Sequence, residues 1–254
     1  MALTCYPVAG KKKSFDICLA FAQGAGGQIA GLLREGAAFF YGVDDSNLET
    51  WRRVRELGRE FFYCDNAYFD GTRQAYFRVT RNALQHSGAG ESDGKRLAKL
   101  GVTIKPWRAA GEHVLVCPQS QHFMRTVVGV EGDWQAETMA KLATLTDRPV
   151  RLRAWSADKG KLAATLDQDL ANAHVLVTWS SAAAITAILA GVPAIVLGQS
   201  AAQPMAGTSL EQLENPPTPD GREGWAGVLA DNQWTLDEMR AGVAWRALQA
   251  SQQE

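Results

Sequence analysis

Residues 173–198 read AHVLVTWSSAAAITAILAGVPAIVLG, and this run constrains the fold more than any other. HVLVTW is a short, apolar, β-branched segment without polar alternation, the pattern of a parallel strand buried on both faces. SAAAITAILAG reads as a helix of small residues. Gly191 follows it as a left-handed C′ residue, and Pro193 blocks its continuation. VPAIVLG then supplies a second buried strand. A strand, a helix and a strand in this order give a right-handed crossover between parallel strands and a layered α/β fold.

The same alternation runs along the chain. SFDICLAFAQG reads as a first strand ending in glycine, and GAGGQIAGLLREG as a glycine-rich loop and short helix. AAFFYGV is a second strand. DDSNLETWRRVRELG is an amphipathic helix with Leu48, Trp51, Val54, Arg55 and Leu57 near one face, capped by Asp45 or Ser46. EFFYCDNAYF completes a β-α-β-α-β series. YFRVTRNALQ follows, then the polar HSGAGESDGK, expected to be a mobile loop, and a linker over Pro106–Gly111. A second series starts at His113: HVLVCPQS, then the helix DWQAETMAKLATLT with Trp134, Met139, Leu142 and Leu145 inward, the strand RPVRLRAW and the helix KLAATLDQDLANA. SLEQLEN and TLDEMRAGVAWRALQA are further helices, separated by the irregular NPPTPDGREGW. The expected fold is therefore two small doubly wound, Rossmann-like α/β domains, 1–110 and 111–254.

The net charge of −1 argues against a general nucleic-acid binder. It is unevenly spread: residues 1–130 carry 17 Lys+Arg and 12 Asp+Glu, a balance of +5, and the remainder carries −6. A basic first half suits a polyanion, and equally an ordinary solvated surface. No apolar run reaches the ~18 residues of a membrane span. The basic cluster Lys11–Lys13 before an apolar run resembles a leader, but Asp16 interrupts it, so the segment is read as a core strand and the protein as cytoplasmic. Cys5, Cys18, Cys64 and Cys117 show no CxxC or zinc-like spacing, so they are read as buried hydrophobes and no metal is expected.

The polar turn Thr178, Ser180, Ser181 stands between a buried strand and a helix start. In an open α/β sheet that turn lies at the carboxyl edge, where ligands bind. Free amides, a positive dipole end and two hydroxyls there suit phosphate oxygens, most naturally a diphosphate. The plainer reading makes Ser180 a helix N-cap.

ANAHVLVTWSSAAAITAILAGVPAIVLG resembles the nucleotide-sugar-binding half of GT-B glycosyltransferases, most closely that of capsule and lipopolysaccharide sugar transferases. FYCDNAYF, YFRVTRNALQ and IKPWRAAGEHVLVCPQS are similar to segments of small phage-encoded glycosyltransferases. The resemblance implies a GT-B-like pair of domains facing a cleft, the second holding a nucleotide-sugar donor through Thr178, Ser180 and Ser181. It also implies no cofactor beyond that donor and no metal.

Other polar groups fall at expected strand ends. Gln119, Ser120 and Arg125 follow HVLVC and suit a diphosphate; a guanidinium fork fits that task. His122, Trp155 and Lys159 are candidates for the donor's base and sugar, Trp155 by stacking. Gly24, Gly26 and Gly27 permit close backbone approach on the acceptor side. GAGGQI lacks the last glycine of a dinucleotide fingerprint, which argues against a nicotinamide enzyme. Asp65 is the candidate base for an acceptor hydroxyl, with Asn66 and Tyr68 orienting it; a turn-capping role is the alternative. Arg78, Arg81 and Asn82 lie together if their segment is helical, and could hold an acceptor phosphate. The acceptor is a hydroxymethylated pyrimidine in phage DNA or a glycan. A nucleotide-sugar epimerase and a non-catalytic nucleotide-sugar binding module are the other readings.

Overall fold

The computed structural model describes residues 2–69, 75–153 and 164–250. The chain divides into two compact units, Met1–His86 with Leu229–Glu254, and Ser87–Val228. The boundary expected near residue 110 falls inside the second unit. There, Lys105 N donates to Leu189 O and Arg108 N to Gly191 O, both at 2.8 Å, so Pro106–Gly111 is pinned rather than a linker.

The first unit contains β1 (Leu3–Cys5), α1 (Lys12–Ala25), β2 (Gln28–Ile29), β3 (Ala37–Tyr41), α2 (Leu48–Glu56), β4 (Phe61–Asn66) and β5 (Phe77–Arg81). Its sheet order is β10-β5-β4-β3-β1-β2, where β10 is Gln233–Trp234. β1 to β4 run parallel; β5 is antiparallel to β4, and β10 to β5. Side chains alternate across the sheet. Phe39, Phe62 and Cys64 share one core with Ile17 and Phe21 of α1. Phe40 and Tyr63 meet Trp51 of α2, at ring centroid distances of 5.2 and 5.7 Å. The helices α9 (Leu236–Arg240) and α10 (Val243–Ala250) pack on α1.

Several expectations for this unit are corrected. SFDICLAFAQG is helix, not strand, and the first strand is the three residues LTC before it. Gly24 therefore lies within α1, where a Cβ would collide with Met239 O of α9. Gly26 caps the helix at φ 67°, and a Cβ on Gly27 would approach Leu3 O at 2.9 Å. These glycines serve helix packing and helix termination. GLLREG forms no helix. Asn47 is the N-cap of α2, while Asp44 accepts from the Ser46 amide and hydroxyl. Leu57 and Arg55 are exposed, leaving Trp51 and Val54 as the buried contacts of α2.

The second unit contains α3 (Lys95–Leu100), β6 (His113–Val116), α4 (Gln121–Phe123) running into a π-helical stretch over Met124–Val128, α5 (Trp134–Leu145) and β7 (Val150–Leu152). It continues with α6 (Leu166–Leu170), β8 (Ala173–Thr178), α7 (Ala183–Leu189) and β9 (Ala194–Val196). α8 (Arg222–Asp231) crosses from this unit into the first. The sheet is wholly parallel, in the order β7-β6-β8-β9. Val114, Val116, Val175, Val177 and Ile195 pack with Trp134 and Leu142 of α5. α7 covers β8 and β9 with Ala184, Ile185 and Ile188 buried. Gly191 adopts φ 80°, and a Cβ there would strike Pro106 O. The polar stretch at 86–95 is packed: a Cβ on Gly88 would approach Ala201 O at 2.9 Å, and Ser92 lies against Gly227 of α8. Among the described residues no helix is long and apolar enough to cross a membrane.

Candidate functional site

Parallel strands present their carboxyl ends, and the loops that follow them, along one edge of each sheet. In the second unit that edge carries the loops after β6 and β8. Thr178 is fully buried, and its hydroxyl donates to Cys117 O at 2.5 Å. The same oxygen accepts from Ser181 N at 3.3 Å. Thr178 therefore shapes the turn from inside and is shielded from solvent. Ser180 is not the helix cap: α7 is preceded by Ala182, and Ser181 Oγ accepts from Ala183 N at 3.2 Å. With its amide oxygen turned to the donors, Gln119 Oε1 accepts from Ser180 N at 2.7 Å, Ser181 N at 2.6 Å and Ser180 Oγ at 2.9 Å. Backbone amides can only donate, which fixes that orientation of the side chain.

Ser120 caps α4, accepting from Phe123 N at 3.2 Å. His122 and Arg125 are exposed on the helical segment beyond it, and Arg125 donates to Gln121 Oε1 at 3.1 Å. The structure thus joins Gln119, Ser180 and Ser181 directly and places Ser120, His122 and Arg125 on the continuation of the same loop. Trp155 and Lys159 lie outside the described residues. Two surface cavities of this unit, of about 420 and 630 Å³, are lined by none of these residues.

In the first unit, the edge is built around Asp65 near the end of β4. Arg78 stands opposite it on β5, in register. Arg78 Nη2 donates to Asp65 Oδ2 at 2.6 Å, Nε to Asn66 O at 3.1 Å and Nη1 to the Tyr68 hydroxyl at 3.2 Å. Burial pulls the guanidinium down, but the Tyr68 and Asp65 oxygens more than offset this and leave it above its ordinary value. Asp65 Oδ1 accepts from Asn66 N at 2.7 Å. The Asp65 side chain keeps 37% exposure against 8% for Arg78. The site is therefore a fixed buried cation holding a carboxylate that reaches solvent.

Asn66 extends this edge outward. Its Oδ1 accepts from Lys13 Nζ at 3.1 Å and from the Tyr41 hydroxyl at 3.2 Å. Lys13 also lies 5.1 Å from the centre of the Phe77 ring. Burial, then the Asp65 charge, push the Tyr41 phenol up, so it stays a hydroxyl donor. Tyr68 is buried; its hydroxyl also accepts from His86 N at 3.0 Å. Its hydroxyl supports Arg78.

Two expectations fail here. YFRVTR is strand, so Arg78 and Asn82 do not share a helical face. Asn82 accepts from Phe61 N at 2.9 Å, at the opposite end of β4 from Asp65, where Arg81 pairs with Glu60. Asn82 closes a turn at φ 53°, away from Asp65. Lys13 and Tyr41, which the sequence does not single out as site residues, stand beside Asn66 instead. The lysine run was visible in the sequence, but as a helix start at the sheet edge it required knowing that residues 12–25 are helical.

No protein-family model matches the chain, and no curated protein matches its sequence. Among solved structures it is similar to KpsC of Thermosulfurimonas dismutans, described as a β-Kdo 2,7-transferase. The TM-score is 0.56 and the identity 10%, over 97% of this chain and 100% of that one. A KpsC β-Kdo 2,4-transferase of the same organism matches at TM-score 0.47 and 11% identity, over 79% and 80% of the two chains. The first likeness is one of fold: this chain shares a mixed α/β, Rossmann-like architecture with that transferase.

Proposed function

We propose that the protein transfers a glycosyl group from a nucleotide-sugar donor to an acceptor hydroxyl. The observation that carries this reading is Asp65: a solvent-reaching carboxylate near the carboxyl end of β4, a strand that runs parallel to β3 in a mixed sheet, held by a buried arginine on the antiparallel β5. In the reaction Asp65 accepts the proton of the acceptor hydroxyl as its oxygen attacks the anomeric carbon. The bond from that carbon to the donor phosphate oxygen breaks, and the electron pair leaves with the nucleotide. Asn66, fixed by Lys13 and Tyr41, orients the acceptor. The second unit holds the donor. The Ser180 and Ser181 amides, with Arg125, meet the phosphate charge that grows as the bond breaks.

The fold likeness to a glycosyltransferase supports a general glycosyl-transfer role. Lys11, Lys12 and Lys13 are exposed at the start of α1, with Lys13 bonded to Asn66, and so favour an acceptor that carries negative charge. Hydroxymethylpyrimidine in DNA and an acidic glycan both meet that description.

The test is release of nucleoside phosphate from a panel of nucleotide sugars, with each acceptor in separate arms. Acceptor-dependent release that disappears in Asp65→Asn supports the reading. Undiminished release in Asp65→Asn removes Asp65 as the base. Binding of a nucleotide sugar without release in any arm favours the binding-module alternative.

A further inference from the structure

We propose that the outer face of α1, with the loop after β2, is a docking face for an anionic lipid surface, on which the protein lies without crossing it. This goes beyond the transfer reaction and is tested apart from it.

Side chains turn by about 100° per residue along a helix, so Lys12, Phe15, Asp16, Leu19 and Gln23 form one stripe of α1. The opposite stripe, with Ile17, Cys18 and Phe21, lies in the core of the unit. On the outer stripe Phe15 is 46% exposed and Leu19 36%. Leu32, 76% exposed, follows β2, the edge strand that packs against α1. Five large apolar side chains are exposed among the described residues, and these are three of them. Single exposed apolar residues need no explanation, but an aromatic ring and two leucines gathered on two adjoining segments mark an interaction surface.

The charge on these segments is positive. Lys11, Lys12 and Lys13 are exposed at the start of α1, and Arg34 is exposed just beyond Leu32. Arg34 N donates to the Tyr6 hydroxyl at 2.8 Å, and Tyr6 follows β1, so the loop is tied to the carboxyl edge from which α1 starts. The carboxylates on the two segments are Asp16, paired with Lys12 at 2.6 Å, and Glu35. Asp44 and Asp45 stand on the loop that leads to α2, and α2 packs on the other face of the sheet. Ammonium groups beside apolar side chains suit a bilayer interface: ring and methyl groups enter the headgroup boundary while flexible lysine stems reach lipid phosphate. A nucleic acid would use the charge and leave the apolar groups in water. Lys13 joins this face to the Asp65 edge through its bond to Asn66. On the transfer reading above, an acceptor carried in the lipid surface is thereby brought to the base.

The experiment is cosedimentation of the full chain with vesicles of phosphatidylcholine alone and of phosphatidylcholine with about 30 mol% phosphatidylglycerol, at low and high salt. The docking face predicts binding to the phosphatidylglycerol vesicles more than about tenfold tighter than to phosphatidylcholine, and weaker as salt rises. Lys11→Glu with Lys12→Glu should weaken it by more than about twentyfold, near fivefold per lysine. Phe15→Ser with Leu19→Ser should weaken it by about tenfold or more. All four native cysteines are buried, so an environment-sensitive dye on Leu32→Cys reports that position alone and should shift to the blue on the vesicles. This readout decides the question even if the Phe15 and Leu19 variant does not fold. No binding to phosphatidylglycerol vesicles, equal binding to both kinds, undiminished binding in Phe15→Ser with Leu19→Ser, or an unshifted dye on bound protein overturns the docking face. Undiminished binding in that variant, together with binding to duplex DNA, assigns the lysines to a nucleic acid instead. Release of nucleoside phosphate with water-soluble acceptors needs no vesicle, so the transfer reading and the docking face can each fail alone.

Discussion

Asp65 and Arg78 face each other across the antiparallel β4–β5 pair, joined at 2.6 Å, with the arginine buried and the aspartate open to solvent. The asymmetry matters. The buried partner makes two further bonds, to Asn66 O and the Tyr68 hydroxyl, and so does not move. The exposed partner has its position set while one side stays accessible.

Removing the carboxylate strands a buried cation. Asp65→Ala should destabilise the protein by about 2–3 kcal/mol, less than a fully buried pair would lose because Asp65 is partly solvated. Asp65→Asn keeps an oxygen for Arg78 and should cost under about 1 kcal/mol. Denaturant unfolding of the two variants checks the order. Equal losses would mean that the ion pair contributes little.

Gly191 ends α7 at φ 80°, and a Cβ would meet Pro106 O. Both the conformation and the space exclude a side chain. Gly191→Ala should lose more than about 2 kcal/mol in the same assay. A loss of a few tenths would show that the 105–108 segment is not held against the helix end.

All four cysteines are free and buried. Burial pushes the Cys18 and Cys117 thiols up to about 12, and Cys5 and Cys64 well above their ordinary value. A thiol that stays protonated and shielded is a poor nucleophile. A thiol-specific disulfide reagent should label none of the four in the native protein at about pH 8 and all four in denaturant. Fast native labelling would contradict the packing of the elements that carry them.

His113 is buried at the start of β6, with Nε2 3.2 Å from Asp169 O and no partner for Nδ1 among the described residues. Burial, then Arg151, hold its pKa below the ordinary value. The unfolded chain then binds the proton more readily. Stability is complete above about pH 6.5 and falls as the pH drops toward the folded-state pKa, by at most ~1.4 kcal/mol per pH unit. Melting temperatures at about pH 7.5 and 5.5 should differ more in the wild type than in His113→Gln. Equal differences would remove His113 as the cause.

Most of the second unit is legible in the sequence. Its strands are apolar runs such as HVLV and AIV, and its turns carry explicit signals such as Gly191 and Pro193. The first unit hides its start. In α1, Ile17, Cys18, Phe21 and Ala22 are buried, but Phe15 and Leu19 on the other face are exposed and also apolar. An apolar run without contrast shows no helical period, so it imitates a strand. The true first strand has three residues and no pattern to read. The return of residues 229–254 to the first unit, where Trp234 pairs with Phe77, has no local signal. The site is legible to the same degree. Asp65, Asn66 and the Ser180–Ser181 turn follow from strand ends, whereas the bonds from Gln119 and Lys13 join residues 61 and 53 positions apart. Such pairings are set by topology.

The most direct measurement of the central claim is hydrogen–deuterium exchange with and without saturating nucleotide sugar, chosen from the panel by thermal shift. The account predicts slowed exchange confined to the segments around 117–126 and 179–183, with the first unit's β4 edge unchanged until acceptor is added. Protection elsewhere in the second unit, or no thermal shift with any nucleotide sugar, would contradict it.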